Sequence, residues 1–257
     1  MKKIGILLLV LMFCAFAVWA QDNNNNSHTT ATQNTTDATN NTNASEAEHD
    51  KAVARMDDSS KILNELLGAP DKGIPDKVFE SAKCVAVVPS MVKGGFVFGA
   101  EHGRGVATCR TANGGWSAPA FFVVTGGSWG LQIGVQAADV VMLIMNQQGM
   151  NDLLSSEFKL GANGSVAAGP VGRQASASTD WKLRSEVLTY SRTRGLFAGL
   201  TLTGAVIKQD DDATRALYGR MVGFRPTLLG QVKPPAAAEN FLATVRRSKT
   251  EVTAQKH

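Results

Sequence analysis

Eleven glycines fall between Gly94 and Gly134, in sequence that otherwise reads as β-strand. Glycine weakens a flat strand. It recurs where a sheet bends sharply or where two backbones approach closely. The chain is therefore expected to form a strongly bent, mainly antiparallel, glycine-rich sheet or barrel-like core. A few helices should flank it, which makes the fold α+β.

The densest apolar stretch runs from Trp116 to Asn146. Its segments Phe121–Val124 and Leu131–Met145 are joined by Thr125–Gly130, which reads as a tight strand connection, so the stretch is expected to be a core hairpin or bend. Leu131, Ile133 and Val135 alternate with Gln132, Gly134 and Gln136, the period of a strand with one buried face. From Val140 to Met145 every residue is apolar, as in a strand covered on both faces.

Other elements follow from period and punctuation. Glu46–Gly68 reads as a helix, with Val53, Met56, Leu63 and Leu67 on one stripe and Gly68 and Pro70 at its end. Asp57 and Asp58 argue that it packs on the domain and not on a membrane surface. A short helix is expected over Asp76–Ala82, then a strand over Cys84–Val88 closed by Pro89. Gly95–Ala100 and Gly105–Arg110 are expected as strands joined by a turn at Glu101–Arg104. Met150–Phe158 reads as a short helix, and Leu160–Val171, Glu186–Arg192 and Leu196–Lys208 as further strands. Gln209–Tyr218 reads as a helix with favourable N-terminal acids. Pro226, Pro234 and Pro235 mark a loop before a last helix at Ala236–Arg247.

Residues 1–20 have the form of a signal peptide, with Lys2 and Lys3, an apolar Ile4–Ala17 and small residues before a cleavage site between Ala20 and Gln21. Phe13 before Cys14 argues against lipid attachment. Removing the leader leaves 24 of the 26 basic side chains against 22 acidic ones. A nearly neutral chain of this kind gives no reason to expect nucleic-acid binding. Residues 21–47 are rich in Asn and Thr and are expected to form a disordered linker. Residues 48–225 form the folded domain, and residues 226–257 the proline-containing loop, last helix and tail. Cys84 and Cys109 lie on two expected strands that could neighbour each other. Export would permit a disulfide, and two buried thiols are the alternative.

The tests for catalysis fail. Gly126–Gly130 matches the G-x-S-x-G pattern around Ser128, but that elbow needs a following helix and a later histidine, and the only downstream histidine is His257. His28, His49, His102 and His257 have no metal-ligand spacing, and no nucleotide-binding glycine motif is present, so no cofactor or metal is expected. Asp139, inside an apolar strand, is expected to pair with an arginine. What remains is a set of bases in or beside turns, Lys93, Arg104, Arg110, Arg173, Lys182, Arg184, Arg192 and Arg194, with Trp129, Trp181 and Tyr190 among them. Bases interleaved with aromatics suit an anionic head group at a membrane interface. If the turns gather at one end, they form a cationic rim.

Several ordered segments carry a resemblance: Lys93–Gly99 (KGGFVFG), Gly103–Val106 (GRGV), Gly115–Phe122 (GWSAPAFF), Gly130–Gly134 (GLQIG), Asp139–Val141, Gly169–Arg173 (GPVGR), Thr189–Ser191 (TYS), Arg194–Gly199 (RGLFAG) and Leu217–Gly219. Together they resemble the SYLF family, also called the Ysc84 actin-binding domain family, from about Ala47 to Gly223. The resemblance implies a non-catalytic lipid-binding module. Relatives in that family bind phosphoinositides, and some bind and bundle actin. With a leader, this chain resembles an exported, bacterial-type member, periplasmic or secreted and peripheral to a membrane. Its expected partner is an anionic phospholipid surface, held by Lys93, Arg104, Arg110, Arg173, Lys182, Arg192 and Arg194. The alternative is a structural protein that docks another envelope protein. A serine hydrolase ranks last.

Overall fold

The computed structural model describes residues 33–69, 73–95, 98–129, 134–155, 157–161, 165–171, 185–193, 196–198, 202 and 204–254. The chain divides into two compact units, Met1–Asn40 and Asn41–His257. Of the first, only the helical backbone from Gln33 is described. The signal-peptide reading and its cleavage site lie outside the described residues.

The second unit contains a curled, mostly antiparallel half-barrel sheet with several helices, the α+β class that the glycines led us to expect. The strands are β1 (Cys84–Gly95), β2 (Phe98–Cys109), β3 (Ala120–Trp129), β4 (Gly134–Ile144), β5 (Glu157–Lys159), β6 (Val166–Ala168), β7 (Val187–Thr193), β8 (Leu196–Ala198) and β9 (Val206–Gln209). Their order is β5-β9-β3-β2-β1-β4-β7-β6, with β8 also on β7. Every pairing is antiparallel except β6 with β7.

The helices are α1 (Gln33–Gly68), α2 (Asp76–Ser81), α3 (Gln147–Leu153), α4 (Asp211–Tyr218), α5 (Phe224–Leu228) and α6 (Glu239–Ala254), with a 3-10 turn at Ala236–Ala238. They cover both faces of the sheet. Val85, Val87, Val106, Phe121, Val141, Leu143, Leu188 and Tyr190 face one core. There they meet Ala52, Met56, Ile62, Leu63 and Leu66 of α1, together with α2, α4 and α6. The alternate residues, such as Ala86, Val88, Ala107, Phe122, Val140 and Met142, face a second core with α3 and α5. Val140–Met145 is buried throughout, as a strand covered on both sides requires.

Several expectations are corrected. Trp116–Asn146 is not a hairpin, because β3 pairs with β2 and β9 whereas β4 pairs with β1 and β7. The β1–β2 pair stands between them. Period predicts which face of a strand is buried, not which strand is its neighbour. Val135 is 78% exposed and belongs to neither core. The turn expected at Glu101–Arg104 is continuous strand, and the chain reverses between Gly95 and Phe98. Strand β1 does not stop at Pro89. It passes through a bulge at which Ser90 has φ 49°, and bulges are where sheets admit proline. Helix α1 begins at Gln33, within the expected linker. Once a helix is nucleated by its packed part, extending it costs little. Phe158 belongs to β5, and Pro226 lies within α5.

Gly103 and Gly105 of β2 are there for close approach. A Cβ on Gly105 would fall 2.4 Å from Cζ of Phe122 and 2.6 Å from the Val87 carbonyl oxygen. Backbone cannot swing aside as a flexible side chain can. Gly105→Ala is therefore expected to lose about 1–3 kcal/mol of stability, the usual range for overpacking a filled core. Urea unfolding of the variant checks this, and an unchanged midpoint would contradict it.

Candidate functional site

Helix α1 meets the sheet through charge as well as apolar packing. At the start of α4, Asp210 accepts a hydrogen bond from the Ala213 amide at 3.2 Å and caps that helix. Its other oxygen takes Arg55 Nη1 of α1 at 3.1 Å and lies 3.5 Å from Arg104 Nε of β2. The Asp210 side chain is 2% exposed and that of Arg55 is 9% exposed. Burial pushes the Arg55 pKa down, and Asp210 opposes that shift. The Arg55 guanidinium also stands 5.5 Å from the Phe121 ring centroid.

Arg104 reaches outward from this pair. Its Nη1 is 3.5 Å from Glu48 Oε2, and Glu48 Oε1 accepts from Lys51 Nζ at 2.9 Å. The Lys51 hydrogen bond holds the Glu48 carboxyl below the usual carboxylate range; desolvation opposes it, and the charges of Lys51, Arg104 and Arg55 add to the lowering.

A second cluster lies where α1 crosses β7. Asp139 and Arg192 face each other across β4 and β7. Asp139 Oδ2 accepts from Arg192 Nη2 at 2.7 Å and from Nε at 3.2 Å. Its Oδ1 accepts from the Ser90 amide at 3.0 Å, which holds the bulge of β1. Arg192 also pairs with Glu65 of α1. The arginine partner expected for Asp139 is therefore present.

Two further described bases, Lys93 and Arg110, do not gather with these. Lys93 pairs with Glu101 at 2.9 Å. Strand alternation places that pair on the opposite face of the sheet from Arg104. Arg110 donates from Nε to the Ala82 carbonyl at 3.1 Å and from Nη2 to the Glu80 carbonyl at 3.2 Å, closing the end of α2. Its guanidinium stacks 4.4 Å from the Trp116 ring centroid, and burial lowers its pKa. Arg173, Lys182, Arg184, Arg194 and Trp181 lie outside the described residues. The described bases form no rim. Arg104 and Arg192 share a face but meet α1 at residues 48 and 65, roughly 25 Å apart along its axis.

Tyr190 is not an interfacial aromatic either. It is buried, it donates from Oη to the Pro170 carbonyl at 3.1 Å, and burial pushes its phenol well above its ordinary pKa. A Cβ on Gly169 would fall 2.1 Å from its ring. That contact accounts for a glycine at Gly169.

Cys84 and Cys109 are bonded as a disulfide across directly paired positions of β1 and β2. Ser128 lies within β3, with strand and not helix next described after it, so the geometry of a nucleophile elbow is lacking. Among the described residues no group of three or more His, Cys, Asp or Glu could hold a metal ion. No described helix is long and apolar enough to cross a membrane.

Sequence reasoning missed Glu48, Arg55 and Asp210. The one usable signal was Arg55, a charge beside the apolar stripe of α1 between Ala52 and Met56. An arginine there must find a buried acid or reach solvent.

Residues 125–248 match the family described as Ysc84, Las17-binding protein actin regulator. Protein YSC84 of Saccharomyces cerevisiae is 35% identical over 212 residues, 80% of this chain and 44% of the yeast protein. SH3 domain-containing YSC84-like protein 1 of Rattus norvegicus is 33% identical over 189 residues, 71% of this chain and 55% of the rat protein. LAS seventeen-binding protein 3 of Saccharomyces cerevisiae is 35% identical over 194 residues, 74% of this chain and 41% of that protein. The chain thus spans about half the length of the curated relatives it matches.

Proposed function

The chain belongs to the Ysc84, or SYLF, family, and from that premise we propose that it is a non-catalytic lipid-binding protein of the cell envelope. It is exported by its leader and holds anionic phospholipid or phosphoinositide-like head groups through basic side chains of its sheet. The observation that supports this reading is the state of Arg104. Its side chain is 37% exposed, against 19% for Lys93 and 23% for Arg192. Both of its carboxylate contacts are 3.5 Å long, whereas Arg192 holds Asp139 at 2.7 Å. An arginine that is partly exposed and loosely paired keeps its planar fork available to a phosphate.

A second reading is that the chain docks another protein. The matching family is described as a Las17-binding protein actin regulator, and one relative is named LAS seventeen-binding protein 3. Val92 and Val135 are 44% and 78% exposed. Register puts both on one face, beside Ala100 and Ala137. An apolar protein surface would fit it.

Co-sedimentation with vesicles separates the two readings. The lipid reading expects binding to vesicles containing anionic phospholipid but not to zwitterionic ones. Arg104→Gln should weaken that binding roughly fivefold, the contribution of one charge near an anionic surface. Raised salt should mimic the loss. Arg192 is unsuitable for this test, because its loss would unpair both Asp139 and Glu65. No sedimentation at any salt, with a specific protein recovered in a pull-down, would replace the lipid reading by the second.

A further inference from the structure

We propose that Lys51 and Arg104, backed by Arg55, form a binding site for a phosphate group, and that the Glu48 carboxylate occupies it as a built-in substitute. This rests on the anionic-ligand reading above and adds the site, its ligand class and its regulation.

Charge supports it first. Three cations, Lys51, Arg55 and Arg104, stand around two carboxylates, Glu48 and Asp210. Asp210 is committed, because it is buried, caps α4 and holds Arg55. With Glu48 moved away, the cluster carries two uncompensated positive charges, which match a phosphate dianion.

Mechanical freedom supports it second. The apolar stripe of α1 begins at Ala52, one turn after Glu48. Residues 44–47, 50 and 51 are exposed and Glu48 is half-buried, so no core side chain pins this turn to the sheet. Glu48 can leave by a change of rotamer, without lifting the packed part of α1.

Chemistry supports it third. Glu48 is bound to Lys51 at 2.9 Å but stands 3.5 Å from Arg104. It satisfies the lysine and only approaches the arginine. A phosphate has more oxygens and more charge, so it can hold Lys51 and take Arg104 through two parallel hydrogen bonds at once. Arg55, 9% exposed, stays on Asp210 and contributes its field. Anion affinity is then set by competition with the protein's own carboxylate.

The full chain is tested as wild type, Glu48→Gln, Glu48→Gln/Arg104→Gln and Asp50→Asn. Asp50, 87% exposed on the same turn, makes the same change of charge away from Arg104. Probes are phosphatidylcholine vesicles with and without phosphatidic acid, a phosphate monoester, and inorganic phosphate followed by calorimetry. Glu48→Gln should bind phosphatidic acid vesicles roughly fivefold more tightly than wild type. Adding Arg104→Gln should cancel the gain, and Asp50→Asn should show much less of it. Vesicle binding that ignores Glu48→Gln, or rises equally with Asp50→Asn, overturns the site and leaves the membrane reading standing. Inorganic phosphate bound by Glu48→Gln without vesicle binding supports the site and removes the membrane reading. If Glu48→Gln binds neither probe, both fall.

Discussion

Asp210→Ala is expected to cost the domain about 3–5 kcal/mol, the loss that follows when one partner of a buried ion pair is removed. Against a total stability on the order of 5–15 kcal/mol, this is a large share. Arg55, 9% exposed, would be left charged in the core with Asp210 gone. The Ala213 amide would lose its acceptor, a loss that by itself costs about 1 kcal/mol at a helix start. Arg104 would lose the deeper of its two anions. Asp210→Asn keeps an oxygen for the cap but no charge, so its loss should fall between wild type and alanine. Guanidinium unfolding of the three proteins measures the series. A loss below about 1 kcal/mol for alanine would mean that water reaches Arg55 and that the pair is not a buried one.

Removing the Cys84–Cys109 bridge ranks second. The two residues are 25 apart in sequence, and closing a loop of that length is worth about 3 kcal/mol in the chain-entropy account. Both side chains are fully buried, so the double variant Cys84→Ala/Cys109→Ala also leaves two small voids. Reduced wild type separates these effects, because it loses the crosslink and keeps the sulfur volume. Both forms should unfold at lower denaturant than the oxidised protein, the alanine form lowest. Two freely titrating thiols in protein isolated from an oxidising compartment would sink the bridge and, with it, this loss.

The bent sheet was legible because glycine in a strand has few physical uses, and Gly103 and Gly105 show one of them, with Val88, Met91 and Phe122 against the space a Cβ would take. The arginine beside Asp139 was legible because an isolated buried carboxylate is too costly to persist. Helix α4 with acids at its start was legible from local sequence, but the role of Asp210 as its cap was not. The pairing of β3 and β4 was not legible. Their apolar patterns are equally consistent with contact or separation, and the intervening β1–β2 pair lies in an earlier part of the chain.

The basic residues show the same division. Sequence alone established that they interrupt a glycine-rich strand region, that the family is Ysc84, and that α1 carries an apolar stripe. Which of them are spent depends on the packed fold. Arg110 closes α2, Lys93 neutralises Glu101, and Arg192 is divided between Asp139 and Glu65. Arg104 alone among these four is both partly exposed and held only by long contacts. The reason is physical. Local sequence sets period, turn chemistry and burial tendency over a few residues, because those depend on neighbours in the chain. The availability of a charge depends on which acid lies within a few ångströms. For Arg104 those acids are Glu48 and Asp210, distant in the chain and brought to it only by the packing of α1 and α4 on the sheet.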